Sequence, residues 1–176
     1  ENPEPVPQSE FVTRFEGGVA YFENKSVNDD THKWNFGDGQ TDLVRHNPSH
    51  AYPVPGYYNV CLIATNGCGT DTTCHPLLVA GIEKVSPRRL ANSGYHLLKI
   101  TGGFPFTSGT VKFIKGGQAD IVPDTVIFRN PGLIQANLKL NQAPLGDWDL
   151  VIISGGFNDT LFNAITLELP DTAQIE

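Results

Sequence analysis

Short runs of alternating apolar and polar residues recur along the whole chain, and clusters of Gly, Asn, Asp and Pro separate them. This pattern is typical of strands joined by tight turns. In one run, alternation places Tyr58, Val60, Leu62 and Ala64 on the same face, which we expect to be buried. No segment longer than about ten residues has helical periodicity. The alternating runs therefore predict an all-β protein. They are FVTRF, VAYFEN, HKWNF, YYNVCLIAT, TCHPLLVA, YHLLKITG, TVKFIKG, TVIFRN, LIQANLKL, WDLVIIS and FNAITLEL.

The chemistry of the turns and the distribution of charge divide the chain into segments. Residues 1–10 are rich in proline and lack periodicity, so we interpret them as a leader or linker. The excess of acidic over basic side chains ends near Gly81, so we place a boundary between two domains there. We predict one β-sandwich over 11–80, a second over 81–169 and a tail over 170–176. A chain of 176 residues is long enough for two such cores.

Net charge narrows the range of partners. The formal charge is −7, and residues 1–80 contain ten acidic but only four basic side chains. An acidic surface repels phosphate backbones and anionic lipids, so we expect no nucleic-acid binding. No apolar run approaches the roughly 20 residues needed to cross a bilayer, so we expect no membrane insertion. Other protein chains and polysaccharides remain as expected partners.

All three cysteines lie close together, at Cys61, Cys68 and Cys74. If TNGCGT forms a hairpin turn centred between Gly67 and Cys68, Cys61 faces Cys74 across two strands, which favours a disulfide between them. A bond between Cys68 and Cys74 is the alternative. A zinc site is a poor interpretation, because His75 is the only additional ligand type nearby.

Calcium is the one cofactor that the sequence suggests. Asn28, Asp29 and Asp30 place three oxygen-bearing side chains in one loop, and calcium prefers oxygen ligands. An ordinary polar turn has the same composition, so both interpretations stay open.

No group of residues has the pattern of a catalytic site. Ser49 and His50 are adjacent but lack a third group at a meaningful offset, so we expect His50 to be structural. A glycan-binding platform would need exposed aromatic rings, for which Tyr57 and Phe157 are the surface candidates. Trp34 and Trp148 are expected to fill the two cores.

The segment from Phe11 to Ala80 resembles a known family. It contains WNFGDG at Trp34–Gly39, followed by NPSHAYPVPGYYNVCLIATN at Asn47–Asn66. This spacing resembles the PKD domain, and the segment departs from that family's pattern mainly at Asn35, where Asp is usual. The resemblance implies an immunoglobulin-like sandwich found in extracellular parts of large proteins and not itself an enzyme. The cysteine-bearing variant is similar to versions in secreted proteins of the Bacteroidota.

Residues 81–169 resemble an IPT/TIG domain through IEKVSP, ITGGFPFTSGTVKF and APLGDWDLVII, which implies a second immunoglobulin-like sandwich. Four Asp-Thr pairs resemble the Bacteroidota O-glycosylation sequon, although Asp-Thr also suits turns. The candidate acceptors are Thr72, Thr125, Thr160 and Thr172.

Together these resemblances predict a non-catalytic structural or interaction module outside a bacterial cell. It would serve as a stalk, an adhesin segment or a surface-filament subunit. The alternative is an accessory module that binds substrate or glycan for a larger secreted hydrolase. The neighbouring domains in the complete reading frame would distinguish the two.

Overall fold

The computed structural model describes residues 5–16 and 19–170, and all regular secondary structure within them is β. Contacts divide the chain into unit 1, Glu1–Val79, and unit 2, Ala80–Glu176. Every sequence run that we interpreted as a strand is a strand. The all-β prediction is confirmed, and each unit is a two-sheet β-sandwich.

Unit 1 contains two antiparallel sheets, in the orders β1-β2-β5 and β4-β3-β6-β7. Its core joins the sheets through aromatic rings, since the Trp34 ring lies 5.1 Å from that of Phe11 and 5.4 Å from that of Phe22. The strands are β1 Phe11–Glu16, β2 Val19–Asn24, β3 Thr31–Asn35, β4 Thr41–Asp42, β5 Ser49–Ala51, β6 Gly56–Asn66 and β7 Gly69–Val79.

Strand β6 shows directly how alternation fixes the core. Val60, Leu62 and Ala64 are buried with at most 1% of their surface exposed, and Tyr58 packs beside them. The intervening side chains, including Cys61, point to the other face. The predicted inward face of this strand is therefore confirmed.

The interpretation of residues 1–10 as a linker is wrong for the described part, residues 5–10. Pro7 and Ser9 are buried, and Gln8 forms an isolated bridge with Val27. The Ser9 amide donates to the Asp71 carboxylate over 2.7 Å, so this segment is attached to β7. Residues 1–4 lie outside the described residues, as do residues 171–176 of the predicted tail.

Unit 2 also has two sheets, in the orders β12-β13-β10-β8 and β11-β14-β15-β9. Its core includes Trp148, Phe113, Leu98 and Ile134, all at most 1% exposed. The strands are β8 Gly81–Ser86, β9 Arg89–Ala91, β10 Gly94–Gly103, β11 Thr110–Ile114, β12 Thr125–Asn130, β13 Leu133–Leu140, β14 Gly146–Ser154 and β15 Phe157–Glu168.

Candidate functional site

Asp38 and His50 form a largely buried polar corner in unit 1. Asp38 follows β3 in a tight turn, where its Oδ1 accepts a hydrogen bond from the Gln40 amide over 3.0 Å. Its Oδ2 lies 2.7 Å from Nε2 of His50 on β5. The His50 ring stacks on Phe36 with a centroid separation of 4.2 Å. The corner thus ties the turn after β3 to the opposite sheet.

The protonation of this corner follows from its contacts. Burial raises the pKa of Asp38, but the hydrogen bonds from His50 and from the Gln40 amide outweigh burial and leave the pKa below its ordinary value. Beside it, burial and the negative charge of Asp38 raise the pKa of Tyr52. The Tyr52 hydroxyl donates to the Phe36 carbonyl over 2.9 Å, so this group is also engaged internally.

Gly37 is required by the packing of the same turn. Its φ is +81°, in the left-handed region that glycine adopts at low cost. A Cβ atom at this position would also lie 2.7 Å from the backbone oxygen of Asn59. The turn that positions Asp38 therefore depends on a glycine.

Ser49 and His50 do not form a nucleophile and base. They are adjacent on β5, so alternation directs Ser49 outward while His50 is buried. The Nε2 atom of His50 contacts Asp38 instead. The corner therefore holds structure together rather than activating a hydroxyl.

The cysteine cluster forms one disulfide. Cys61 and Cys74 are directly opposite in the β6–β7 register, and their Sγ atoms are bonded. Cys68 is an exposed free cysteine in the hairpin turn, where its amide donates to Oδ1 of Asn66. The predicted Cys61–Cys74 pairing is confirmed, and the alternative pairing through Cys68 is wrong.

The candidate calcium loop is engaged in ordinary turn contacts. Asn28 has a φ of +61°, and its carbonyl accepts a hydrogen bond from the Asn66 side chain. The Asp29 carboxylate lies 3.7 Å from Nδ1 of His32, and the Asp30 amide donates to the Thr65 carbonyl. Within residues 5–16 and 19–170, no group of three or more His, Cys, Asp or Glu could hold a metal ion. Calcium binding stays a prediction.

The loop after β4 exposes two aliphatic side chains that the sequence analysis missed. Leu43 and Val44 are 66% and 87% exposed. Asp42 fixes the loop, because its Oδ1 accepts hydrogen bonds from the amides of Val44 and Arg45. The same contacts, chiefly those from these two amides, lower the pKa of Asp42 to about 2. We call residues 42–45 the Asp42 loop; its hydrogen bonds hold the two exposed aliphatic side chains in place.

Comparisons with known proteins find relatives of the first 80 residues. A family model described as the PKD domain matches residues 2–80. The PKD1 domain of the Vibrio cholerae metalloprotease PrtV is 30% identical, with 43% of this chain and 98% of that domain covered and a TM-score of 0.39. Unit 1 belongs to the PKD domain family. The resemblance noted from the WNFGDG and NPSHAY segments is therefore confirmed.

Two further solved structures are similar to this chain. The PKD1 domain of Vibrio anguillarum Epp is 29% identical, with 44% of this chain and 96% of that domain covered and a TM-score of 0.40. The titin tandem immunoglobulin domains are 13% identical, with 94% of this chain and 98% of theirs covered and a TM-score of 0.47. None of the curated proteins matches the sequence.

Membership of unit 1 in the PKD family supports an interaction module of the extracellular type. PKD domains are typically non-catalytic and typically occur in extracellular proteins. Among the residues described here, no helix has the length and apolar character to cross a membrane. The IPT/TIG resemblance of residues 81–169 stays a prediction.

The three Asp-Thr pairs within the described residues lie in or at the start of strands rather than in turns. Thr72 is exposed on β7 of the PKD domain, Thr125 is exposed at the start of β12, and Thr160 is half-buried on β15. Asp71 accepts hydrogen bonds from Ser9, and Asp159 accepts one from the Ile82 amide over 2.7 Å. The turn explanation is therefore wrong for two of the pairs. Thr172 lies outside the described residues.

The aromatic surface differs from the one expected from the sequence. Tyr57 is 57% exposed, as expected, but Phe157 packs against the core of unit 2 with its ring 5.0 Å from that of Phe106. Tyr95 on β10 is 76% exposed and was missed. Side chains alternate between the two faces of a strand, so Tyr95 in YHLLKI lies on the face opposite to the buried residues Leu98 and Ile100. This alternation in the sequence could have predicted that Tyr95 is exposed.

Proposed function

We propose that the chain is a non-catalytic structural and interaction module on the outside of a bacterial cell, as a stalk, adhesin segment or surface-filament subunit. The disulfide in the PKD domain carries this proposal, because such bonds persist in oxidising compartments. Asp38, His50 and Tyr52 are engaged in internal hydrogen bonds, which supports a structural use of the polar corner.

The Asp42 loop supports interaction with other protein chains. Exposed aliphatic side chains gain free energy when a partner removes them from water. The Asp42 carboxylate already fixes the backbone of the loop that contains Leu43 and Val44, so the loop loses little conformational freedom when a partner binds. We infer that this loop is a protein-contacting surface.

We further propose that residues 11–80 and 81–169 are the functional modules, the second of them IPT/TIG-like. Thr72 is the best-placed candidate for an O-linked glycan, because its side chain is exposed on β7. The alternative role, an accessory module of a secreted hydrolase, is favoured by one specific observation, the exposed aromatic surface around Tyr95.

Labelling cysteines on intact cells of the producing bacterium tests the proposal. A membrane-impermeant maleimide should label the chain at Cys68 alone, because Cys68 is exposed and the other two cysteines are bonded. After denaturation and reduction, Cys61 and Cys74 should become reactive as well.

The Cys68→Ser variant is the control and should remain unlabelled on intact cells. Labelling that appears only after lysis would place the chain inside the cell and contradict the proposal. Reaction of Cys61 and Cys74 without a reductant would also contradict it.

A further inference from the structure

We propose that the outer face of one sheet in unit 2 binds an anionic oligosaccharide. We call this surface the Tyr95 face; it consists of the outward side chains of β10, β13 and β12. The inference deepens the proposed interaction role and rests on it. Rows of directly opposed residues define the face: Tyr95 with Lys139, Leu97 with Asn137 and Thr125, and Lys99 with Gln135 and Ile127.

The aromatic ring of Tyr95 is exposed to solvent at one end of this face. Tyr95 is 76% exposed and the neighbouring Leu97 is 54% exposed. The Nζ atom of Lys139 lies 5.4 Å from the centre of the Tyr95 ring, so a cation–π contact orients the tyrosine. The apolar face of a sugar ring can stack on such an aromatic surface while its hydroxyls stay hydrated.

Polar groups line a cavity beside the aromatic ring. The cavity has a volume of about 340 Å³ and is lined by Tyr95, His96, Leu97, Asp124, Thr125 and Asn137. Small-ligand sites range from about 300 to 1,000 Å³, so this cavity is large enough for a sugar unit. The Asn137 amide lies 3.4 Å from the Thr125 hydroxyl, and both can exchange hydrogen bonds with sugar hydroxyls.

The charge of the face favours an anionic sugar. Lys99, Lys139 and Arg129 are exposed on it, whereas Asp124 is the acidic group that lines its cavity. The protein as a whole carries a formal charge of −7, so a local excess of positive charge contrasts with the rest of the chain. Positive side chains beside an aromatic ring and neutral hydrogen-bonding groups suit uronate carboxylates linked to sugar rings.

Titration calorimetry of the whole chain with a hexameric oligogalacturonate tests the inference. We expect saturable binding that weakens with added salt, and much weaker binding of the neutral galactose hexamer. Tyr95→Ala should weaken binding about tenfold, because the stacking surface is lost, whereas Tyr95→Phe should preserve it. Lys139→Gln should reduce both the affinity and its salt dependence.

Controls separate the saccharide from other occupants. Phe162→Ala removes an exposed aromatic ring from β15, in the other sheet of unit 2, and Lys33→Gln removes an exposed lysine from unit 1; both variants should leave binding unchanged. Equal binding of polyglutamate, or equal binding by Tyr95→Ala with an unchanged melting temperature, would overturn the inference. Self-association abolished by Tyr95→Ala, without uronate binding, would assign the face to a second copy instead. None of these outcomes affects the surface-labelling test, so the proposed function can hold even if this inference fails.

Discussion

Asp38 illustrates how much one side chain contributes to the PKD domain. Its two carboxylate oxygens bond to the Gln40 amide and to His50, although the side chain is only 9% exposed. A charge in such a position is stabilised only while both donors are present. We therefore expect Asp38 to matter for stability rather than for chemistry.

Replacing this carboxylate by an amide tests that expectation. Asp38→Asn should lower the free energy of unfolding of unit 1 by about 1–2 kcal/mol near neutral pH, because hydrogen bonds to a charged group are lost. The pKa of Asp38 is lower in the folded state than its ordinary 3.8, so ionisation stabilises the fold above that value. The stabilisation is lost as pH falls through the folded-state pKa. Urea denaturation at about pH 7, 5 and 3 measures the change.

The matched control for this substitution is Asp30→Asn, which changes an exposed aspartate of the same unit. It should have little effect on the free energy of unfolding at any of these pH values. A difference between wild type and Asp38→Asn that grows towards acid pH would contradict the assigned direction of the pKa change.

Individual residues were predictable where their neighbours in sequence decide their environment. The burial of Trp34 and Trp148 follows from alternation and is confirmed. The burial of Phe157 depends on Phe106, which is distant in sequence, and so the sequence alone misplaced it at the surface. The polar neighbours of Tyr95 likewise come from two other strands.

Among the structural elements, residues 5–10 contribute the contacts that sequence patterns could not reveal. The Ser9 hydroxyl lies 3.0 Å from the Asp71 carboxylate and 2.9 Å from the Thr73 hydroxyl. These partners on β7 are more than 60 positions away, so the proline-rich segment looked like a free linker. The hydrogen bonds from Ser9 lower the pKa of Asp71.

Removing the hydroxyl of Ser9 should loosen this element. We expect Ser9→Ala to lower the free energy of unfolding of unit 1 by about 1 kcal/mol, since the buried Ser9 hydroxyl no longer donates its one proton to Asp71 or Thr73. This corresponds to a decrease of roughly 4–8 °C in its melting temperature. Thermal unfolding followed by circular dichroism provides the measurement.

Ser49→Ala serves as the comparison, because Ser49 is exposed on β5. Its melting temperature should equal that of the wild type. If both variants melt at the same temperature, the Ser9 hydroxyl contributes nothing to stability, which would contradict the expected role of residues 5–10.

Long strands were predictable and short ones were not. The register of β6 and β7 followed from the positions of Cys61 and Cys74 about a two-residue turn, and the disulfide confirms it. Strands β4, β5 and β9 have only two or three residues, too few to show a period of two. Their positions depend on partners elsewhere in the fold, such as the parallel pairing of β9 with β15.

On the scale of the whole molecule, two sandwiches with separate cores follow one another along the chain. The core around Trp34 belongs to unit 1 and the core around Trp148 to unit 2. The disulfide lies entirely within unit 1, between β6 and β7. Its stabilising effect should therefore be confined to that unit.

Reduction of the disulfide tests whether the two units unfold separately. The bond closes a loop with a sequence separation of 13 residues, and a loop-closure estimate gives about 3 kcal/mol of stabilisation. Calorimetry should show two transitions, of which reduction lowers only that of unit 1, by more than about 10 °C. The double variant Cys61→Ser/Cys74→Ser should reproduce this shift without a reductant, whereas Cys68→Ser should move neither transition.

Fluorescence assigns the transitions, because the chain contains only two tryptophans. In Trp148→Phe, the remaining signal comes from Trp34 and reports on unit 1, so the transition that moves on reduction should be the fluorescent one. A single transition that shifts as a whole would show that the two sandwiches unfold together. In that case the assignment of the disulfide's effect to unit 1 alone would be wrong.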